Sequence, residues 1–178
     1  NVDLEDLDNY DLVIDTSYSN VEDIANAILD CHQNYKNKKY FGKMWGSPKK
    51  LLPLQSERDT VARGKFFDMD EIITSIKEHG YLVSEEIEVI EVEGKMYIIE
   101  GHHRNFGAAL NGKTIVPYRI IAKDDEPIKG YGKTTAKKRA SNEESKFLRG
   151  HEWMIGNDFS YAQVYPNIYK ELEQNDAR

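Results

Sequence analysis

The sequence predicts an α+β fold: a small mixed β-sheet flanked by helices, with a strand–helix appendage before it and a helical segment after it. Three observations carry this expectation. Residues 86–92 (EIEVIEV) alternate polar and apolar side chains, and Glu93-Gly94 joins them to Lys95–Ile99 (KMYII), which reads as a hairpin. Val21, Ile24, Ala25, Ile28 and Leu29, and later Ile72, Ile73 and Ile76, recur at helical spacing. Tyr97–Leu110 (YIIEGHHRNFGAAL) runs from an apolar strand through a charged turn into small and apolar residues that begin a helix.

In chain order, residues 11–15 (DLVID) read as a short buried strand. Ser19 or Asn20 then caps a helix that runs to about Tyr35, with Glu22 and Asp23 in its first turn. Residues 36–50 mix Lys, Gly, Pro and aromatics without a period and read as a linker. Lys50–Leu54 (KLLPL) predicts a short strand whose Pro53 marks an edge or an end. A polar loop, 55–67, comes next, and Asp68 or Asp70 opens a helix that stops at His79-Gly80.

Past the hairpin, a helix of small residues from about Asn105 to Asn111 is expected to lie close against the sheet and to end at Asn111-Gly112. Residues 114–122 (TIVPYRIIA) form another strand, with Pro117 implying an edge position or a bulge. Lys129–Arg139 (KGYGKTTAKKR) reads as a mobile basic loop leading into a helix from about Lys137 to Leu148, and a last helix spans about Pro166 to Gln174. Trp153, Phe159, Tyr161, Tyr165 and Tyr169 are expected to pack the core rather than to form a stacking platform. The chain divides as 1–36, an appendage; 37–128, the core; and 129–178, the basic loop and helical extension. There is no internal repeat, heptad array or low-complexity segment.

Composition narrows the function. A net charge of −7 argues against a dedicated duplex-DNA binder, whose affinity rests on a basic surface. The charge is uneven, with four acidic and no basic side chains in residues 1–10 and five basic and no acidic ones in 129–139. The basic stretch is compatible with a phosphate-bearing ligand, nucleic acid included. Cys31 is the single cysteine, which excludes an internal disulfide and a Cys-rich zinc site, and it is expected to be a buried small residue. No membrane-length apolar run and no signal peptide are visible, and a cytosolic protein is expected.

Candidate chemistry concentrates in Glu100-Gly101-His102-His103-Arg104. A strand ending in such a turn before a helix suits phosphate, because unpaired N–H groups at a helix start and the helix dipole attract anions. Arg104 adds a planar permanent cation, and a histidine there donates to phosphate or moves a proton near neutral pH. The bland alternative is a polar turn with two surface histidines.

With these residues assembled, positions 51–122 resemble the ParB/sulfiredoxin superfamily. The matching order is a helix (IITSIKEHG), a strand (EEIEVIEV), a Gly turn, a strand ending in an acidic residue and Gly-x-His-Arg (EGKMYIIEGHHR), an Ala-containing helix with Asn-Gly (NFGAALNG), and a strand containing Val-Pro (TIVPYRII). The acidic-GHHR motif looks most like that of archaeal free serine kinases of this fold. The resemblance implies a small α+β domain that binds a nucleotide at this turn. Members differ in what they do with the nucleotide: sulfiredoxins phosphorylate a sulfinic acid, partitioning ParB proteins hydrolyse CTP on DNA, and some relatives are described as nucleases. This chain lacks the sulfiredoxin cysteine in the turn, and residues 137–174 lack a convincing helix-turn-helix.

On that resemblance we expect a Mg²⁺-nucleotide-dependent phosphotransferase acting on a small molecule or a nucleotide, with ATP, ADP or CTP as co-substrate. Gly101, His103, Arg104 and Asn105, with Arg58, would hold phosphates. Glu100 would serve as base or Mg²⁺ ligand, His102 would either support His103 or point to the sheet, and Glu57 or Arg58, from the loop after the first strand, would complete the site. A ParB-type nuclease using Lys129–Arg139 on the phosphate backbone, or a non-catalytic nucleotide-sensing module, are the rival expectations. A second, weaker resemblance is local: LDNYDLVIDTSYSNVEDIANAIL is similar to the C-terminal strand and helix of P-loop nucleotide kinases. It implies the tail of a kinase domain, against an ordinary strand–helix unit packed on the core. The P-loop spelling G-x-x-x-x-G-K-[ST] is not expected within the chain, which by itself is then not expected to be that kinase.

Overall fold

The computed structural model describes residues 10–37, 42–63, 69–81 and 86–176, which leaves the acidic start and the Asp68 cap outside the described residues. The strands are β1 (Val13–Ile14), β2 (Met44–Gly46), β3 (Leu51–Leu52), β4 (Ile87–Val92), β5 (Lys95–Glu100) and β6 (Val116–Lys123). They form one mixed sheet in the order β1-β2-β6-β4-β5-β3. The helices are α1 (Val21–Lys36), α2 (Glu57–Arg63), α3 (Met69–His79), α4 (His102–Leu110), α5 (Ala136–Phe147), α6 (Tyr161–Val164) and α7 (Pro166–Asp176). The α+β expectation holds.

The hairpin at the centre of the sheet forms as its alternation requires. Glu93 (φ 51°) and Gly94 (φ 76°) both take positive φ, as a two-residue type I′ turn needs. Side chains then alternate between two cores. On one face Ile90, Val92, Tyr97, Ile99 and Ala122 pack with Phe106 of α4 and with Phe147, Tyr161, Val164, Tyr165 and Ile168 from the C-terminal helices. On the other, Ile87, Val89, Ile98, Val116 and Tyr118 pack with Ile76 of α3 and Ala108 of α4. Each fully buried side chain of this size contributes about 1.5–3 kcal/mol, so the two faces together outweigh local helix and strand propensity.

Several expectations change. The 36–50 linker contains β2, which pairs parallel with β1 and antiparallel with β6. Three residues are too few to show a period, so only the tertiary pairing reveals the strand. The polar 55–67 loop holds α2, stabilised by Ser56, whose hydroxyl accepts the Asp59 N–H at 3.2 Å. Pro117 lies in β6, an interior strand, but the β4–β6 ladder starts only at Tyr118, so Pro117 has β2 alone beside it and its missing N–H costs no ladder bond there. Pro53 follows β3 directly at the sheet's edge, as expected.

Residues 124–137 are organised rather than extended. Pro127 and Thr135 form an antiparallel bridge, Ile128 is buried, and Lys137 N–H donates to the Asp124 carbonyl at 2.7 Å. The C-terminal aromatics divide as well: Phe159, Tyr161 and Tyr165 are core, whereas Trp153 is 39% exposed.

The N-terminal unit joins the main sheet. β1 extends it beyond β2, and α1 packs Ala27 with Trp45 and Ile115. Asn20 caps α1, its Oδ1 accepting the Asp23 N–H at 2.7 Å, and Asp23 in turn accepts from the Thr114 N–H and hydroxyl, both at 2.7 Å. Cys31 is buried, as expected. The side of α1 that packs is however the Ala27–Cys31 side. Of the five residues at helical spacing, Ile24 packs on this side, whereas Val21, Ala25, Ile28 and Leu29 face outward.

Candidate functional site

The strand–Gly–helix junction forms, but α4 begins at His102, so the His-His-Arg triplet is the first turn of the helix and not a loop before it. Gly101 is the N-cap, at φ 100°, and supplies no side-chain cap. A Cβ at this position would lie 3.3 Å from Cγ1 and 3.4 Å from Cα of Ile87, so glycine is needed for conformation and for space. The first helical hydrogen bond runs from the Asn105 N–H to the Gly101 carbonyl at 2.9 Å. The N–H groups of residues 102–104 precede it and point out of the helix start, where the macrodipole is positive.

Each candidate side chain has a definite place. Glu100, the last residue of β5, is exposed beside this helix start. Arg104 is half-buried, with Nη2 3.4 Å from where a Gly101 Cβ would sit, so its guanidinium folds back over the turn. His102 is buried and its Nε2 accepts the Leu54 N–H at 3.0 Å. His103 is half-buried, and its Nε2 lies 3.1 Å from the Thr60 carbonyl, to which it donates. The two imidazoles thus grip both ends of one segment, Leu54–Thr60, which carries the chain from β3 into α2.

Asn105 is wholly buried. Its Nδ2 donates to the Pro48 carbonyl at 3.1 Å and to the Tyr161 hydroxyl, while its Oδ1 has no partner among the described residues. It ties α4 to the C-terminal helices rather than to a solvent-facing ligand. Glu57 is committed elsewhere: its carboxylate accepts the N–H groups of Asn167 at 2.6 Å and Ile168 at 2.7 Å, and the Asn167 amide at 3.0 Å. These are first-turn donors of α7, so Glu57 caps that helix. Arg58 is exposed on α2. The structure therefore gathers Glu100, Gly101 and Arg104 at one surface, sets His102 and His103 behind them, and takes Glu57 and Asn105 away.

Sequence reasoning missed Glu88 and Arg119. Ladder register sets Glu88 beside Glu100 on one side and beside Arg119 on the other, and Arg119 forms an ion pair with Glu88. Counting back from the Glu93-Gly94 turn would have brought Glu88 opposite the end of β5; a bulge between Glu88 and Val89 shifts that register onto Glu100. Thr60 and Tyr165 were missed too. Tyr165 donates its hydroxyl to the Gln55 carbonyl at 2.9 Å, a third restraint on the same segment.

The P-loop spelling does occur once, at Gly107–Thr114 (GAALNGKT), against expectation. A phosphate-cradling P-loop follows a strand and opens a helix. Here the order is reversed: Gly107 lies inside α4, packed against Ile72 and Ile76 of α3, and Gly112 follows the α4 C-cap Asn111. The small residue Gly107 so admits α3, while Ala108 meets the sheet. The spelling is a helix ending.

No protein-family model, no curated protein and no solved structure matches this chain. Among the described residues no group of three or more His, Cys, Asp or Glu is arranged to hold a metal ion, and no helix is long and apolar enough to cross a membrane.

Proposed function

We propose that the chain is a Mg²⁺-nucleotide-dependent phosphotransferase of the ParB/sulfiredoxin type, acting in the cytoplasm on a small molecule or nucleotide. The observation that carries this reading is the pairing of exposed Glu100 with the α4 helix start across Gly101, under the folded-back Arg104 guanidinium. The helix start and Arg104 attract phosphate oxygens, and Glu100 stands next to the anion as a base for an acceptor hydroxyl. Phosphoryl transfer asks mainly for positioning and charge neutralisation, which this surface supplies. Mg²⁺ takes one or two carboxylates together with waters and substrate phosphates, so Glu100 would be its protein ligand in the alternative to serving as the base. When bound it would neutralise phosphate charge. His102 and His103 act in this reading by holding the Leu54–Thr60 segment.

Nucleotide binding without turnover is the second reading. It is favoured by the commitment of Glu57 to α7, which leaves Glu100 the only one of the proposed carboxylates at the turn. Incubation with Mg²⁺ and ATP, ADP or CTP, with and without DNA, separates the readings. Turnover lost in Arg104→Ala and Glu100→Gln supports the phosphotransferase. Binding that depends on Arg104, with no turnover and no effect of Glu100→Gln, supports the sensor. DNA cleavage that weakens steeply with salt would favour the nuclease. Full turnover in Arg104→Ala rejects the site.

A further inference from the structure

Large apolar side chains left in solvent are concentrated on one helix. Val21 (82% exposed), Ile28 (48%), Leu29 (63%) and Tyr35 (65%) all lie on α1, and Tyr18 just precedes it. Ala25 and His32, also exposed, complete a series. Val21, Ala25, Ile28, His32 and Tyr35 succeed one another at intervals of 4, 3, 4 and 3 residues, the seam spacing of a coiled coil. The seam spans two heptads, which is too short to stand out as an array in sequence. It covers a helix of 16 residues, about 24 Å long, whose neighbouring Ala27 side already packs on Trp45 and Ile115. A contiguous apolar stripe of this kind marks an interaction surface.

We infer that α1 pairs antiparallel with α1 of a second copy of this chain. The stripe is complementary to itself in that direction. In one register, small Ala25 meets large Tyr35 of the partner copy and Ile28 meets His32, each contact occurring twice by symmetry. The flanking row is Glu22, Leu29 and Lys36, seven residues apart and exposed. Antiparallel helices bring this row against its own copy, so Leu29 meets Leu29 at the two-fold axis. Glu22 then meets Lys36 of the partner at both ends. The acidic first turn (Glu22, Asp23) and basic last turn (Lys36) also align opposed helix dipoles.

One helix per protomer is a small interface, so the dimer is reversible, with a Kd on the order of 10 µM. Sedimentation velocity on the full chain across about 2–200 µM tests it. The weight-average mass should rise from that of the 20.6 kDa monomer towards twice that value. Leu29→Asp, at an exposed position, should weaken association at least about tenfold with an unchanged circular dichroism spectrum. Ile28→Ser should do the same if Leu29→Asp fails to fold. Glu22→Lys should weaken it about fivefold, and Glu22→Lys with Lys36→Glu should restore it. A monomer at the highest concentration, a dimer indifferent to both apolar substitutions, or a charge swap that fails to restore association each overturns the proposal.

Discussion

Nε2 of His102 accepts the backbone N–H of Leu54 at 3.0 Å, joining the first residue of α4 to the connection that leaves edge strand β3, 48 residues earlier. An imidazole accepts only through an unprotonated nitrogen, so the ring is neutral with its proton on Nδ1. Both groups are buried, so the N–H has no water to replace the ring. His102→Ala should cost about 2–4 kcal/mol, from an orphaned donor and a cavity. His102→Gln, which keeps an acceptor, should recover part of that. Urea unfolding measures both, and an unchanged midpoint in the alanine variant would mean the bond is absent in solution.

Glu57 belongs to stability in this structure. Removing its carboxylate uncaps α7, so Glu57→Ala should lower stability by about 1–2 kcal/mol. Nucleotide turnover per folded molecule should stay unchanged. A collapse of turnover with an intact unfolding midpoint would return Glu57 to the site.

Gly101 and Gly94 both have positive φ, but a Cβ on Gly101 meets Ile87 whereas nothing lies within 4 Å of one on Gly94. Gly94→Ala should therefore cost about 1 kcal/mol, the backbone term alone. Gly101→Ala should cost about 2–3 kcal/mol and reduce nucleotide affinity, since Ile87 must give way beside the helix start. Equal thermal-denaturation shifts for the two variants would contradict the close approach.

Stability should fall at both ends of the pH scale for different groups. Burial pushes the Asp15 carboxyl up, but hydrogen bonds from Lys50 and Ser17 outweigh it and hold the carboxyl below its usual range. A lowered folded value gives stability that is present above the unfolded value near about 4 and is lost as pH falls through the folded one. Burial, with the Asp15 and Glu91 charges, pushes the Tyr118 phenol up to about 12. Its contribution is present below the unfolded value near about 10 and is lost as pH rises towards the folded one. Burial raises Tyr161 and Tyr165 as well. Urea midpoints should drop above about pH 10, and Tyr118→Phe should flatten that drop; Asp15→Asn should flatten the acid side.

Local pattern carried some of these features and not others. The β4–β5 hairpin, the α4 ending at Asn111-Gly112 and the start of α7 at Pro166 were readable because turn chemistry and periodicity act within a few residues. Gly101 was readable as part of the junction for the same reason. The reach of each side chain was not. Glu57 looked like a site residue because its loop precedes the motif in sequence, and only the packing of α7 against α2 shows which donors it meets. Asn105 sits one helical step past Arg104 and yet is sealed by Tyr161.

Spacing along the chain was sufficient to locate a mixed sheet, its central hairpin and a glycine-started helix carrying two imidazoles and a guanidinium, since those arise from steric rules and side-chain alternation. Contacts between distant segments chose the rest: β2 as a strand, both histidines as clamps on Leu54–Thr60, and Ala27–Cys31 as the inward side of α1. A helix with apolar residues on two sides has no internal reason to bury one of them. Trp45 of β2 and Ile115, just before β6, made that choice and left Val21, Ile28 and Leu29 exposed.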